Sequence, residues 1–209
     1  MLNEIALFRG WLFLFFTVTA IAGCGDAATY PASGADPALN AQTASGAAVL
    51  RGREDPRRKR RWVLALDEIR VYDTAVKPLR LIRKIALPRW SVISFRYVCM
   101  PDMVLDNAGS AFISSNAEAR LLRIDADSFA LRDYDIHFPA YVARDSGFGA
   151  LAFAPNGTLL ARTAMDGLLW KIDISTATAI MIANSPKTPS DACSITSQHL
   201  NHFARNPHR

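Results

Sequence analysis

The stretch from Gly109-Ser110-Ala111-Phe112 to Leu121-Leu122-Arg123-Ile124-Asp125 recurs without a gap, at an offset of 48 residues, as Gly157-Thr158-Leu159-Leu160 to Leu169-Trp170-Lys171-Ile172-Asp173. Glycine, leucine, isoleucine and aspartate fall on themselves, while Ser110/Thr158, Glu118/Asp166, Leu122/Trp170 and Arg123/Lys171 are similar pairs. A weaker earlier copy ends at Val71-Tyr72-Asp73. A unit repeated at this spacing cannot bury its apolar face alone, so it must stack on its neighbours. The repeat therefore constrains the architecture more than any other feature.

The repeats are built of short apolar/polar alternations, the period-2 signal of half-buried strands. Strands are expected at Trp62–Leu66, Ile69–Tyr72, Leu79–Leu87, Val92–Val98, Ala111–Ser114, Leu121–Ile124, Ala130–Ile136, Leu151–Phe153, Leu159–Arg162, Leu168–Ile174 and Ala179–Ala183. Turn signals separate them, among them Asp106-Asn107-Ala108-Gly109 and Pro155-Asn156-Gly157. Asn156-Gly157 between apolar runs predicts a type I′ hairpin turn. No sustained 3.6-residue apolar period follows the N-terminal region, so the fold class is all-β.

Gly149-Ala150-Leu151-Ala152-Phe153-Ala154-Pro155-Asn156-Gly157-Thr158-Leu159, followed by Leu169-Trp170-Lys171-Ile172-Asp173, resembles the blade consensus of bacterial periplasmic β-propellers related to the NHL-repeat and lactonase-like groups. The resemblance implies a β-propeller-like domain over residues 62–183, with Gly109, Asp125, Asn156, Gly157, Trp170 and Asp173 as structural repeat positions. About 120 residues make about three four-stranded blades, fewer than the four to eight of closed propellers. The ring is then incomplete, or a second copy completes it. Leu151, Phe153, Leu169 and Trp170 would otherwise meet water at an open end, so either the linker and tail cover them or two copies meet edge to edge, and of these a homodimer is expected.

The N-terminus carries a different signal. Trp11 to Ala22 is an apolar run too short for a membrane-spanning helix and of signal-peptide length. It closes on Ile21-Ala22-Gly23-Cys24, which resembles the lipobox of bacterial lipoproteins. The resemblance implies removal of residues 1–23, acylation of Cys24, and a protein lipid-anchored in the envelope and facing the periplasm. In that family an aspartate directly after the cysteine favours the inner membrane. Here Gly25 stands there and Asp26 follows, which favours the outer membrane.

Residues 24–61 read as a lipidated cysteine followed by a flexible, then basic, linker. Gly25 to Leu50 is rich in Ala, Gly, Ser and Pro and would span about 28 Å as a coil, roughly 5.5 Å times the square root of its length. Of the net charge of +5, all resides in Arg51–Arg61, which holds seven basic and two acidic residues; the rest of the chain is balanced. Such a block reads as a solvated stretch, or as one touching anionic lipid headgroups. A nucleic-acid partner is not expected, since its footprint would spread over a folded surface with interleaved aromatics. Residues 184–209 read as a polar C-terminal tail.

With Cys24 lipidated, Cys99 and Cys193 remain in an oxidising compartment. They are either two free thiols or a bridge, and the bridge would stabilise by up to roughly 4 kcal/mol through its closed loop of about 95 residues.

Catalytic signatures are lacking. Asp125 and Asp173 follow strands in successive repeats and read as turn caps rather than metal ligands. Asp125-Ala126-Asp127 opens like a calcium loop, but Ala130 replaces the required glycine and Ile136 the glutamate. His199 and His202 have no partner pair at zinc spacing, and His137 stands alone. No nucleophile elbow, phosphate loop or zinc-protease motif occurs. No cofactor, no metal and no catalytic residue are assigned. The expected function is a membrane-anchored module that binds or scaffolds an unknown protein or envelope component. The alternatives are a metal-dependent lactonase-like or gluconolactonase-like hydrolase, or a truncated, inactive propeller relative.

Overall fold

The computed structural model describes residues 48–94, 98–139, 147–183, 193–197 and 200. The signal segment, Cys24, the first part of the tether, His199 and His202 lie outside the described residues. Among the described residues twelve strands form three four-stranded antiparallel sheets, each a simple meander. Blade one holds β1 (Val49–Asp55), β2 (Arg60–Ala65), β3 (Glu68–Asp73) and β4 (Arg80–Ala86). Blade two holds β5 (Met103–Leu105), β6 (Ala111–Ser114), β7 (Arg120–Ile124) and β8 (Leu131–Asp135). Blade three holds β9 (Phe148–Phe153), β10 (Leu159–Thr163), β11 (Leu169–Asp173) and β12 (Thr178–Ala183). The first strands of the blades, β1, β5 and β9, lie next to one another. The fold is all-β and propeller-like, with three blades, as the repeat predicts.

Successive strand residues face opposite sides of a sheet, so each blade splits its apolar set between two neighbours. Ala111, Ile113, Leu122 and Ile124 of blade two pack on Trp62, Leu64, Ile69 and Val71 of blade one. Phe112 and Leu121, the alternate residues of the same strands, pack on Leu151, Leu159, Trp170 and Ile172 of blade three. Phe112 and Phe153 meet edge to face with centroids 5.3 Å apart. Burying each large side chain contributes roughly 1.5–3 kcal/mol, so the two interfaces carry much of the stability. Leu151, Leu169 and Trp170 are each buried within one chain, and Phe153 packs against the cluster that holds Leu151 and Trp170.

Four expectations are corrected. Arg51–Arg61 is not a linker: Val49–Asp55 is strand β1, paired with β2 from Asp55↔Arg60 to Val49↔Ala65, so the folded domain begins before residue 62. Among the described residues of Val92–Val98 there is no strand; blade two starts instead at Met103–Leu105. The Pro155-Asn156-Gly157 turn is not type I′. A type I′ turn needs positive φ at both Asn156 and Gly157, and of the two only Gly157 takes it, at 82°. Its amide donates to the Ala154 carbonyl at 2.9 Å, and the Ala154 amide donates to the Thr158 carbonyl at 2.9 Å. This is a three-residue loop ending in a left-handed glycine. Gly109, at φ 80°, closes the matching loop of blade two through the Asp106 carbonyl. Finally, the C-terminal tail is not wholly apart from the fold, because Ile195 and Leu200 pack against blade three.

Candidate functional site

Asp102 immediately precedes β5 and stands where the three innermost strands converge. Its Oδ1 accepts from its neighbour Met103 at 2.8 Å and from Arg53 Nη2 at 3.1 Å, and Arg51 Nε lies 3.2 Å away. Its Oδ2 accepts the Leu151 amide at 3.1 Å. Arg51 and Arg53 alternate along β1 and so share one face of the strand. One carboxylate thus binds blade one through two guanidinium groups and blade three through a backbone amide. The Asp102 backbone closes on Ser114 of blade two, its amide donating to Ser114 Oγ at 2.8 Å and its carbonyl accepting the Ser114 amide at 3.0 Å. Asp102 is buried while the two arginine side chains remain about a third exposed, at 33% and 40%. The site is therefore net basic, two guanidinium groups against one carboxylate.

Arg57, Arg58 and Arg60 of the basic block clasp blade one to the hairpin ends of blade two. Arg57 donates to the Asn107 carbonyl at 3.0 Å. Arg58 reaches Asp127 with two bonds, at 2.8 and 3.1 Å, and pairs with Asp55 at 3.4 Å. This bidentate geometry is the strong form of an arginine–carboxylate pair. It holds the Arg58 guanidinium above its ordinary pKa and the Asp127 carboxyl below its own. Arg60 donates to the Ala126 carbonyl and lies 5.2 Å from the Phe129 ring centre. Like charges that would repel in a coil are separated here by their own acceptors.

At the opposite end of the strands the connector from blade one to blade two is held by Asn116, which is 1% exposed. Its Oδ1 accepts the Ile93 amide at 2.8 Å, and its Nδ2 donates to the carbonyls of Ile93 and Cys99 at 2.7 and 3.0 Å. Trp90 Nε1 donates to the Ser114 carbonyl at 3.0 Å. Arg120 lies 3.3 Å from Asp133 and 3.2 Å from Asp135, and Arg89 lies 3.0 Å from Asp133.

The repeat aspartates cap turns. Asp125 Oδ1 accepts from the Ser128 amide, the Ser128 hydroxyl and the Asp127 amide at 2.9, 2.8 and 3.1 Å. These bonds, the Ser128 amide foremost, lower its pKa to about 2. Asp173 Oδ1 accepts from the amide and hydroxyl of Ser175 at 2.9 and 2.6 Å, and its pKa is likewise lowered. Asp73, the third copy, accepts the Ala75 amide at 2.8 Å. Trp170 is fully buried, 4.6 Å from the Phe138 ring centre. Asn156 Oδ1 accepts the Thr158 amide at 3.1 Å. His137 joins blade three through its backbone, as a parallel bridge to Thr178. Cys99 and Cys193 form a disulfide with their Cα atoms 5.3 Å apart. None of these repeat positions converges on the axis, whereas Arg51, Arg53 and Asp102, which do, were not singled out from sequence. A sequence signal for the first two existed in the Asp55-Pro56 turn dipeptide that follows them.

No family model matches this chain, and no curated protein does. Among solved structures it is similar to a protein of unknown function from Bacteroides caccae, at 11% identity over 69% of this chain and 47% of that one, with a TM-score of 0.44. It is also similar to a catalytically inactive virginiamycin B lyase from Staphylococcus aureus solved with quinupristin, at 12% identity over 67% of this chain and 46% of that one, TM-score 0.43. A candidate 6-phosphogluconolactonase from Bacteroides uniformis is similar at 13% identity over 68% of this chain and 42% of that one, TM-score 0.44. The chain matches less than half the length of each of these proteins.

Proposed function

We propose that this chain is a lipid-anchored envelope protein whose propeller-like module binds a protein or envelope component rather than turning over a substrate. The observation that carries the reading is Asp102. A carboxylate at the meeting point of the innermost strands is engaged by two arginines and two backbone amides, so it serves blade assembly. Recognition then falls to the loops at the hairpin ends, where binding residues concentrate on folds of this kind. The lipobox-like Ile21-Ala22-Gly23-Cys24 supports the anchor, with Cys24 as the acylated residue.

The mature protein, assayed against lactones and sugar acids with and without a chelator, shows no rate above background on this reading. A rate that is lost on chelation overturns it in favour of a metal-dependent hydrolase. Placement in the envelope is tested separately. Cys24→Ser moves the protein from membrane to soluble periplasmic fractions and abolishes fatty-acid labelling; a wild type that takes no label contradicts the anchor.

A further inference from the structure

The charges outside the basic block balance in total but not in place. From Thr74 to Pro101 the chain holds six basic residues and no aspartate or glutamate. Four of the six, Lys77, Arg80, Arg83 and Lys84, lie on β4 or in the loop that leads into it. Among the described residues β4 pairs with β3 alone, as the outer strand of blade one, and every residue from Arg80 to Lys84 is exposed. Between these cations stand Val76, Leu81 and Ile82, at 39%, 42% and 40% exposure. Arg80 pairs with Asp73 at 2.9 Å and Lys84 lies 4.0 Å from Glu68, which leaves Lys77 and Arg83 as the strip's uncompensated charges among the described residues. The equivalent strand of blade two, β8, mixes Arg132 with Asp133 and Asp135 and exposes no large apolar side chain. In blade three, β12 exposes Ile180 but carries no charge. Cation and apolar side chain thus coincide on the outer strand of blade one alone.

We propose that this strip docks on an anionic lipid bilayer, its cations meeting phosphate headgroups while Val76, Leu81 and Ile82 enter the interface. The proposal rests on the reading of an envelope-anchored protein. The 24 residues from Gly25 to Ala48 separate Cys24 from β1, and fully extended they reach roughly 80 Å, so the module stays near the surface that holds its anchor. Other occupants fit worse. A second copy pairing β4 to β4 would set Arg80, Arg83 and Lys84 beside their own like charges. An added strand from another polypeptide meets a bulge: Val71 pairs with Arg83 and Tyr72 with Leu81, so Ile82 is the extra residue of β4. Bulges and charged edge residues discourage strand addition. They do not explain exposed Leu81 and Ile82. A fluid headgroup layer needs no strand register, and each basic residue near it strengthens binding about fivefold.

The test is co-sedimentation of the full mature chain carrying Cys24→Ser with vesicles of pure phosphatidylcholine, and with vesicles of equal parts phosphatidylcholine and phosphatidylglycerol. The chain binds the mixed vesicles and not the neutral ones. Lys77→Gln with Arg83→Gln weakens that binding about 25-fold, a factor of five for each charge. Leu81→Ser with Ile82→Ser weakens it severalfold, and both double variants keep the parent's circular dichroism and cooperative unfolding. A parent that leaves the mixed vesicles in the supernatant, or binds neutral vesicles equally well, overturns the inference. So does either double variant if it folds and binds as the parent does. A parent that ignores the mixed vesicles but binds soluble polyglutamate through Lys77 and Arg83 assigns the strip to an acidic polypeptide and overturns the lipid reading. Because the Cys24→Ser chain carries no acyl group, its vesicle binding fails or succeeds independently of the fatty-acid labelling that tests the anchor.

Discussion

Asp102 Oδ2 accepts the amide of Leu151 at 3.1 Å, joining the first strand of blade two to the first strand of blade three. The other oxygen of the same carboxylate takes the two arginines of blade one. Removing it strands a backbone amide and leaves two guanidinium groups without a counter-charge. Asp102→Ala is expected to cost about 3–5 kcal/mol, the scale for breaking a buried charged network. Asp102→Asn keeps an acceptor for the Leu151 amide and is expected to cost about 1–2 kcal/mol. Urea unfolding at constant m-value measures both.

Gly109 and Gly157 occupy equivalent turns, with φ of 80° and 82°. An alanine at either position carries the left-handed penalty of roughly 1–2 kcal/mol. At Gly157 a Cβ meets nothing within 4 Å, whereas at Gly109 it would come within 2.5 Å of Arg58 Nη1 and 2.7 Å of Asp55 Oδ2. Gly109→Ala is therefore expected to lower the thermal midpoint more than Gly157→Ala. Adding Arg58→Ala to both should narrow the difference without closing it, because the contact with Asp55 Oδ2 remains.

The Asp125 carboxyl, with a pKa of about 2 against a reference of 3.8, favours the folded state only while ionised. That contribution is present in full above the unfolded value and is lost as pH falls through it toward about 2. Asp173 and Asp73 are shifted in the same direction. The thermal midpoint should fall between pH 4 and pH 2. The deficit of Asp125→Ala relative to wild type, measured at pH 7, should shrink over that range.

The repeat was legible because it is written in apolar residues: Phe112, Leu121, Leu122 and Ile124 of blade two, and their counterparts in blade three, alternate with a clear period. Blade one was legible only from Trp62 onward. Its first strand runs Val49 to Asp55 with Arg51 and Arg53 on one face, so the period-2 signal is carried by charge, and a charged block reads as solvated chain unless its acceptors are known. Those acceptors, Asp102, Asn107, Ala126 and Asp127, come from residues 49 to 69 positions away. β5 escaped for another reason, since three residues are too few to show a period. The packing of Ile195 and Leu200 on blade three was hidden because they are isolated apolar residues in a polar segment, near a cysteine whose disulfide partner lies 94 residues earlier.

The basic block is part of the first blade, whose strand β1 pairs with β2. Two chains decide it most directly, one beginning at Ala48 and one at Trp62, both ending at Arg209, compared by thermal unfolding under oxidising conditions. The longer chain should unfold in one cooperative transition. The shorter, stripped of β1 and of the arginines that engage Asp102 and Asp127, should show none. A cooperative transition at the same midpoint in both would contradict the account and return Arg51–Arg61 to the role of a linker.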